Sequence, residues 1–496
     1  MNGRLKAAKQ TRPPQHDRAQ TRAILNDAIV KWGTTLDYHA SEARGLIQLL
    51  IGDGLTRMTP GVRDSSKNIA GNPGGSMQTR AFCLAVLVYL VTGHTQPAVA
   101  QVDQQRALEY FKEVQALCER DGGRLWGVSL CRPMVIGDMR TRTMATSQPA
   151  PEGARPQVVG IVNAPLEWGG ATWGAYVWDF MVMGTPRFRK ELMLHELFHA
   201  AQPQLGLSVP ALASEHLDAV DGRYWLRLEW RALARALRAS GEPRALAVGD
   251  ALAFRQARRM LYPGTVESER AAEITEGLAQ YTGTVLAADT TADAITSALD
   301  QLVEAETQDS FVRTFAYTSG PAYGLLLDAS SPGWTRRVRS TDDLASLVMR
   351  ALAVQPAADA TASAARYGGP ELRASEQRRE QQRQERIAEL RRRFVDGPVL
   401  LTPATGSGSF DSRGAVVIPD VGTVYFGAYN SSGGWGSLEA KNGVLVASDG
   451  SSRRLSAPVR RDDTTFAGDG WTFKAAPGWV IRDGPRRGDY EVVRQP

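Results

Sequence analysis

Residues 186–205 read PRFRKELMLHELFHAAQPQL, and this stretch contains the strongest motif of the chain. Pro186, preceded by Thr185, suits the first turn of a helix, while Pro203 and Gly206 are typical of a helix end. Within the predicted helix, His195, Glu196 and His199 form the pattern H-E-x-x-H. Because helical residues four positions apart lie on one face, both imidazoles point the same way.

Two histidines one helical turn apart can chelate a zinc ion, and a glutamate beside the first histidine lies close to that ion. The pattern therefore predicts one Zn²⁺ held by His195 and His199, with Glu196 as the general base that takes a proton from water. Only three histidines follow residue 100, and two of them are in this motif. The alternative is a pair of hydrogen-bonded helical histidines without a metal.

A catalytic zinc site needs a third protein ligand and one open position. A metzincin would have Gly and His at positions 202 and 205, where this chain has Gln202 and Leu205, so that pattern is excluded. The carboxylates in a predicted helix from Glu269 to Leu286 are candidates, as is His216.

The segment Glu276-Gly277-Leu278-Ala279-x-Tyr281 resembles the E-G-F-A-x-Y segment of aminopeptidase-N-like and glycyl-aminopeptidase-like enzymes of the gluzincin clan. This resemblance implies that Glu276 is the third zinc ligand. Glu273, one turn earlier, is the rival ligand, or else a carboxylate that hydrogen-bonds a ligand histidine. The spacing of 77 residues between His199 and Glu276 is far longer than in those families.

Two looser matches to the same families suggest further site residues. Pro165-Leu166-Glu167-Trp168 is placed like the family turn whose glutamate contacts the free amine of a substrate, which implies a substrate-binding Glu167. Ala316-Tyr317-Thr318-Ser319-Gly320 resembles the segment whose tyrosine stabilises the oxyanion, although Ser319 replaces the family lysine. This match implies a catalytic role for Tyr317, with Tyr323 and Tyr281 as alternatives.

The fold predicted from the pattern is α+β, with a zincin-like catalytic domain over residues 101–352. An antiparallel sheet precedes the helices in this prediction. Its strands are Leu125–Leu130, Met134–Ile136, Arg140–Ala145 and Val158–Val162, and the flanking helices are Gln104–Glu119, His216–Leu237 and Ala245–Leu261. Residues 353–396 are predicted to be a helical linker, first Ala-rich and then charged, with the charged run Glu371–Arg393 most simply a solvated helix. Residues 397–496 are predicted to be a small β-rich accessory domain.

The N-terminal residues predict export. An apolar run, Ala81–Val91, follows Arg80 and precedes Ala98-Val99-Ala100, so residues 77–100 have the anatomy of a signal peptide with cleavage after Ala100. Met77 is then expected to be the initiator, and residues 1–76 an upstream extension that is non-native or disordered. In the oxidising periplasm or outside the cell, Cys118 and Cys131 are expected to form a disulfide.

Composition excludes other classes of function. The chain is 43% hydrophobic and 22% charged, as in ordinary globular proteins. Its net charge of +5 lies in the first hundred residues, which gives no support to nucleic-acid binding, and no apolar run reaches the length of a membrane span after signal removal.

The function predicted from the motifs is an exported zinc metallopeptidase, and its expected partner is a peptide or protein substrate. Extended peptides would pair with a sheet edge at Val158–Val162. The alternatives are a non-catalytic envelope binding protein with a zincin fold and a zinc hydrolase of a non-peptide amide. The sequence predicts no particular oligomeric state.

Overall fold

The computed structural model describes residues 101–138, 141–153, 155–210, 214–410, 415–461 and 464–495. The predicted signal peptide and the residues before it lie outside these ranges. The chain divides into two units: the first takes in residues up to Pro210, Glu273–Ala298 and Ser331–Asp342, and the second takes in Ala211–Ala272, Leu299–Ser330 and Asp343–Pro496. None of the described helices is both long and apolar enough to cross a membrane.

Helices and sheets are mixed, and the C-terminal region is all β, as predicted. The α-helices of the described residues are α1 Gln104–Asp121, α2 Trp178–Met183, α3 Pro186–Leu205, α4 Val220–Arg238, α5 Gly241–Leu261, α6 Val266–Ala272, α7 Leu278–Ala287, α8 Thr291–Ala305, α9 Phe315–Ser330, α10 Leu344–Leu352, α11 Ala360–Ala364 and α12 Gly369–Arg391. Two π-helical turns are Glu273–Gly277 and Arg392–Asp396, and short 3₁₀ turns are Glu215–Asp218, Pro263–Thr265, Trp334–Arg336 and Ala365–Tyr367.

The strands fall into an N-terminal and a C-terminal group. The first group is β1 Met134–Gly137, β2 Met144–Thr146, β3 Ala164–Trp168 and β4 Ala171–Val177. The second group is β5 Val399–Pro403, β6 Ser407–Phe410, β7 Val416–Ile418, β8 Gly422–Tyr425, β9 Tyr429–Gly433, β10 Gly436–Ala440, β11 Val444–Ala447, β12 Ser452–Ser456, β13 Arg460–Arg461, β14 Thr465–Gly468, β15 Trp471–Ala475, β16 Trp479–Asp483 and β17 Tyr490–Arg494.

The N-terminal sheet is mixed, so the prediction of an antiparallel sheet is wrong in part. Its strand order is β2-β1-β4-β3. The outer strands pair antiparallel with their neighbours, whereas the central strands β1 and β4 run parallel. This follows from the β3–β4 hairpin, which turns at Gly169 and Gly170 with φ of 60° and 78° and lays β4 beside β1.

Two predicted strands of this sheet are turns in the structure. At Leu125–Leu130, the carboxylate of Asp121 accepts hydrogen bonds from the backbone N–H groups of Gly123 and Leu125, which holds the chain in a turn. At Val158–Val162, the N–H of Val159 donates to Pro156 and the N–H of Ile161 donates to Val158. Both segments bury apolar side chains without pairing as strands. A short apolar run can reflect burial in a turn, and the sequence alone does not distinguish it from a strand.

Helix α3 is central to the first unit, and its ends form as the sequence predicts. The Thr185 side chain accepts from the N–H of Phe188, and Gly206 ends the helix with a φ of 69°. All residues from Glu191 to Gln202 are buried. The helix packs against α1, α7 and β4, and its apolar side chains share a core with all three. The predicted disulfide between Cys118 and Cys131 is present and ties the end of α1 to the segment before β1, with a Cα–Cα distance of 5.4 Å.

The close approach of α7 to α3 depends on a glycine. A Cβ added at Gly283 would lie 2.4 Å from the carbonyl oxygen of Glu191, which is backbone that cannot move aside cheaply. We expect Gly283→Ala to lower the free energy of unfolding by about 1–2 kcal/mol, because overpacking costs more than the helix preference of Ala returns.

Urea denaturation of Gly283→Ala beside Gly264→Ala measures this effect. Gly264 has no heavy atom within 4 Å of a built Cβ, so its substitution serves as the control and should change stability by under about 0.5 kcal/mol. Equal stability of the two variants would contradict the close helix packing.

The second unit contains the predicted linker, which is helical over α12 and solvated along much of its length, but a few of its residues are buried. Glu376 on α12 is 1% exposed, and its carboxylate accepts from Arg223 Nε at 2.9 Å and from Arg227 Nη1 at 2.6 Å on α4. The end of α12 buries Ile387 and Leu390 against strands of the C-terminal region. A few buried positions inside a charged run are enough to dock the helix, and the overall composition of the run hides them.

The C-terminal region consists of a six-stranded sheet and a seven-stranded sheet among the described residues. The strand orders are β13-β14-β15-β10-β9-β6 and β16-β17-β5-β12-β11-β8-β7. Trp435, Trp471 and Phe473 are central to their shared apolar core. This region corresponds to the β-rich residues predicted from 397 onward.

Candidate metal centre

Three buried side chains of the first unit converge on one point. His195 and His199 lie one turn apart on α3, and Glu276 lies on the π-helical turn Glu273–Gly277. The Nε2 atoms of the two histidines are 2.9 Å apart, and Glu276 Oε2 lies 3.2 Å from His199 Nε2 and 3.4 Å from His195 Nε2. All three residues are at most 7% exposed.

The donor set and its spacing fit a zinc ion. Each corner of the triangle formed by these three atoms lies about 1.8 Å from its centre, while zinc bonds nitrogen and oxygen at about 2.0–2.2 Å. The spacing of the three donor atoms is therefore compatible with one zinc ion that all three would hold. Two imidazoles and one carboxylate form the protein ligand set of a catalytic zinc site that keeps one position open. These residues are the ones that the motif and the resemblance had pointed to.

Glu276 reaches the histidines from an irregular turn of helix. The predicted continuous helix from Glu269 to Leu286 is in fact α6, then a π-helical turn, then α7. Single π turns inside helices are frequent at functional sites, because the wider turn redirects a side chain. Glu273 is fully buried at the start of this turn and is not one of the three converging residues. Its predicted role beside a ligand histidine stays a prediction.

Glu196 lies between the two histidines in sequence and is 5% exposed. Its charge acts on Tyr176 of β4, which is fully buried and donates from its hydroxyl to the carbonyl of Met193 at 2.9 Å. Burial first, and then the charge of Glu196, raise the pKa of Tyr176 well above its ordinary value. The tyrosine therefore stays protonated and holds α3 to the sheet beside Glu196.

The rival histidine is engaged elsewhere. His216 lies in the second unit, with its Nε2 2.8 Å from Oε1 of Glu269. Its sequence neighbourhood left a ligand role open, but the structure places it in a buried ion network instead.

The tyrosine alternatives are also placed. The hydroxyl of Tyr323 donates to Glu229 at 2.7 Å in the second unit, and Tyr281 packs in a buried aromatic cluster with Trp126 and Trp334. Tyr317 lies half-buried on α9 of the second unit. Its predicted role as an oxyanion donor stays a prediction.

Glu167 lies on the strand β3, where the sequence match suggested a turn. Its side chain is exposed and accepts a hydrogen bond from Thr172 on β4. The substrate-binding role itself stays a prediction.

Sequence reasoning missed the contacts of Gln202. In the sequence, Gln202 serves only to exclude the metzincin pattern. In the structure, the Gln202 side chain is 4% exposed and hydrogen-bonds His199. The available signal was its spacing: residue 202 is three positions after His199, so the two side chains are neighbours on one helix face.

Comparisons with protein-family models, with curated proteins and with solved structures find no match to this chain.

Proposed function

We propose that this chain is an exported zinc-dependent metallopeptidase of the gluzincin type, with a zincin-like first unit. The observation that carries the proposal is the convergence of His195, His199 and Glu276 within 4.8 Å of one another, with Glu196 on the same helix. The two histidines come from a complete H-E-x-x-H motif, and the third residue comes from a segment 77 positions away. Structural zinc sites are usually closed by four protein ligands, so a set of three favours a catalytic role.

The chemistry assigns a role to each residue. When bound by His195, His199 and Glu276, zinc would act as a Lewis acid that polarises the scissile carbonyl and lowers the pKa of water. The Glu196 carboxylate takes a proton from the attacking water and returns it to the leaving amine. The burial of Glu196 favours proton transfer to the substrate, because few bulk waters compete for the carboxylate.

Two further observations support a peptide substrate and export. The strand β3 has one described strand neighbour, β4, so its other edge offers backbone groups to an extended peptide, and β3 packs against α3. This edge replaces the predicted one at Val158–Val162. The disulfide between Cys118 and Cys131 is of the kind that persists in oxidising compartments.

Zinc content and peptide hydrolysis of the purified protein test the proposal. We expect about one zinc per chain and cleavage of members of a mixed peptide library, read by mass spectrometry. A chelator should abolish cleavage and added zinc should restore it. The ends of the products separate removal of terminal residues from internal cleavage.

Two outcomes would contradict the proposal. A protein that binds no zinc has no metal-assisted activity of this kind. A protein that binds zinc but cleaves no peptide would instead be a binding protein or a hydrolase of another amide.

A further inference from the structure

The contacts of Gln202 extend to both elements that carry the converging residues. Its Oε1 lies 2.6 Å from His199 Nδ1, whereas Glu276 lies beside the other ring nitrogen, Nε2. Its Nε2 donates to the carbonyl oxygens of Ile274 at 3.3 Å and Thr275 at 3.1 Å. These two carbonyls belong to the π-helical turn, immediately before Glu276 in sequence. One buried amide therefore bridges α3 and the turn that bears Glu276.

The contacts also fix the orientation of the amide. A backbone carbonyl only accepts hydrogen bonds, so the side of the amide that faces Ile274 and Thr275 must be the NH₂ group. The oxygen then faces His199, and because an amide oxygen only accepts, the proton of this imidazole must be on Nδ1. In the neutral imidazole, that leaves a lone pair on Nε2, the atom that faces His195 and Glu276.

We propose that Gln202 is a positioning residue that sets the tautomer of His199 and ties it to the turn carrying Glu276, so that the site is assembled before a metal arrives. This inference rests on the proposed zinc site. Burial supports this inference. Because Gln202 is only 4% exposed, water competes poorly for its hydrogen bonds. Partners of ligand histidines raise metal affinity in this way because they fix both ring orientation and tautomer.

Zinc affinity, measured by competition with a chromophoric chelator, tests the role in three variants. Gln202→Leu keeps the approximate volume but removes both contacts, and we expect its Kd for zinc to rise about 10- to 100-fold. Gln202→Glu keeps an oxygen that accepts from Nδ1, so we expect it to recover part of the lost affinity. Gln204→Leu, at an exposed position on the same helix, is the control and should bind like the parent.

Two outcomes of the affinity measurement would count against the role of Gln202. An affinity of Gln202→Leu within about threefold of the parent would overturn the role. Equal losses in Gln202→Leu and Gln202→Glu would overturn the tautomer part of the role, because the glutamate still accepts from Nδ1 but cannot donate to Ile274 and Thr275. Thermal melting of the metal-free variants shows whether they fold. If Gln202→Leu does not fold, the nitrogen NMR spectrum of the metal-free parent decides: a proton on His199 Nδ1 supports the inference, and one on Nε2 overturns it.

This experiment also separates the inference from the proposed function. Zinc binding is read without any substrate, so a parent that binds zinc but cleaves no peptide still tests Gln202. A parent that binds no zinc overturns both. If the parent binds zinc and Gln202→Leu binds equally well, only the inference about Gln202 fails.

Discussion

Replacing Glu196 by Gln is expected to lower peptide hydrolysis by about 10²- to 10⁴-fold while the protein still binds about one zinc. The amide has nearly the shape of the carboxylate but cannot accept a proton from water at neutral pH. The proposed zinc ligands are other residues, namely His195, His199 and Glu276, so binding and catalysis should separate in this variant. The measurement is kcat/KM on a peptide identified from the library, with metal content determined on the same sample.

The matched control is Glu191→Gln, on the same helix one turn before His195. Glu191 is 5% exposed and its carboxylate contacts Arg187 at 2.9 Å and Ser297 at 2.8 Å, so its described contacts hold the helix in place. We expect this variant to lose stability and keep its kcat. If Glu196→Gln cleaves peptides at the rate of the parent, Glu196 is not the base and the proposed mechanism is wrong.

Much of the site could be predicted from the sequence because its strongest signals are local. H-E-x-x-H specifies chemistry and geometry together, since helical spacing alone puts His195 and His199 on one face. The ends of α3 were equally local, set by Thr185, Pro186 and Gly206. Glu276 could be predicted as a ligand only through a resemblance, because no rule of helical spacing relates it to His199, 77 positions earlier.

What the sequence could not show depends on contacts between distant segments. The parallel pairing of β1 with β4 arises from the path of the chain through the outer strands β2 and β3. The sequences of β1 and β4 themselves do not indicate which strand each pairs with. Glu376 looked like one more solvated charge in a charged run until its partners Arg223 and Arg227, about 150 positions away, were placed. The amide of Gln202 likewise acquires a role only when Ile274 and Thr275 lie beside it.

Replacing Arg258 by Met is expected to lower the free energy of unfolding by about 3–5 kcal/mol at pH 7. The guanidinium is completely buried in the second unit, with Nη1 2.6 Å from Glu229 and Nε 2.8 Å from Glu269, whose side chains are also 0% exposed. Removing this cation leaves two buried carboxylates short of a partner. The loss is measured by urea denaturation, with Arg238→Met, at an exposed position on α4, as the control that should change little.

The pH dependence of the loss distinguishes this explanation from simple repacking. Burial raises the pKa of Glu269. The charge of Arg258 and the hydrogen bonds from His216 and Arg258 lower this pKa by more than burial raises it, so the pKa lies well below its usual value. In the parent, this carboxylate therefore contributes stability that is present above its unfolded pKa of about 4.3 and is lost as the pH falls through its folded pKa.

In Arg258→Met this contribution becomes smaller, because the folded pKa of Glu269 rises when the largest lowering influence is lost, although Arg259 and His216 remain beside the carboxylate. As the pH falls, protonation of Glu269 therefore destabilises the variant less than it destabilises the parent. The difference in unfolding free energy should consequently shrink between pH 7 and pH 4. A difference that stays constant over this range would mean that lost packing, and not the loss of one cation beside the buried carboxylates of Glu229 and Glu269, causes the destabilisation.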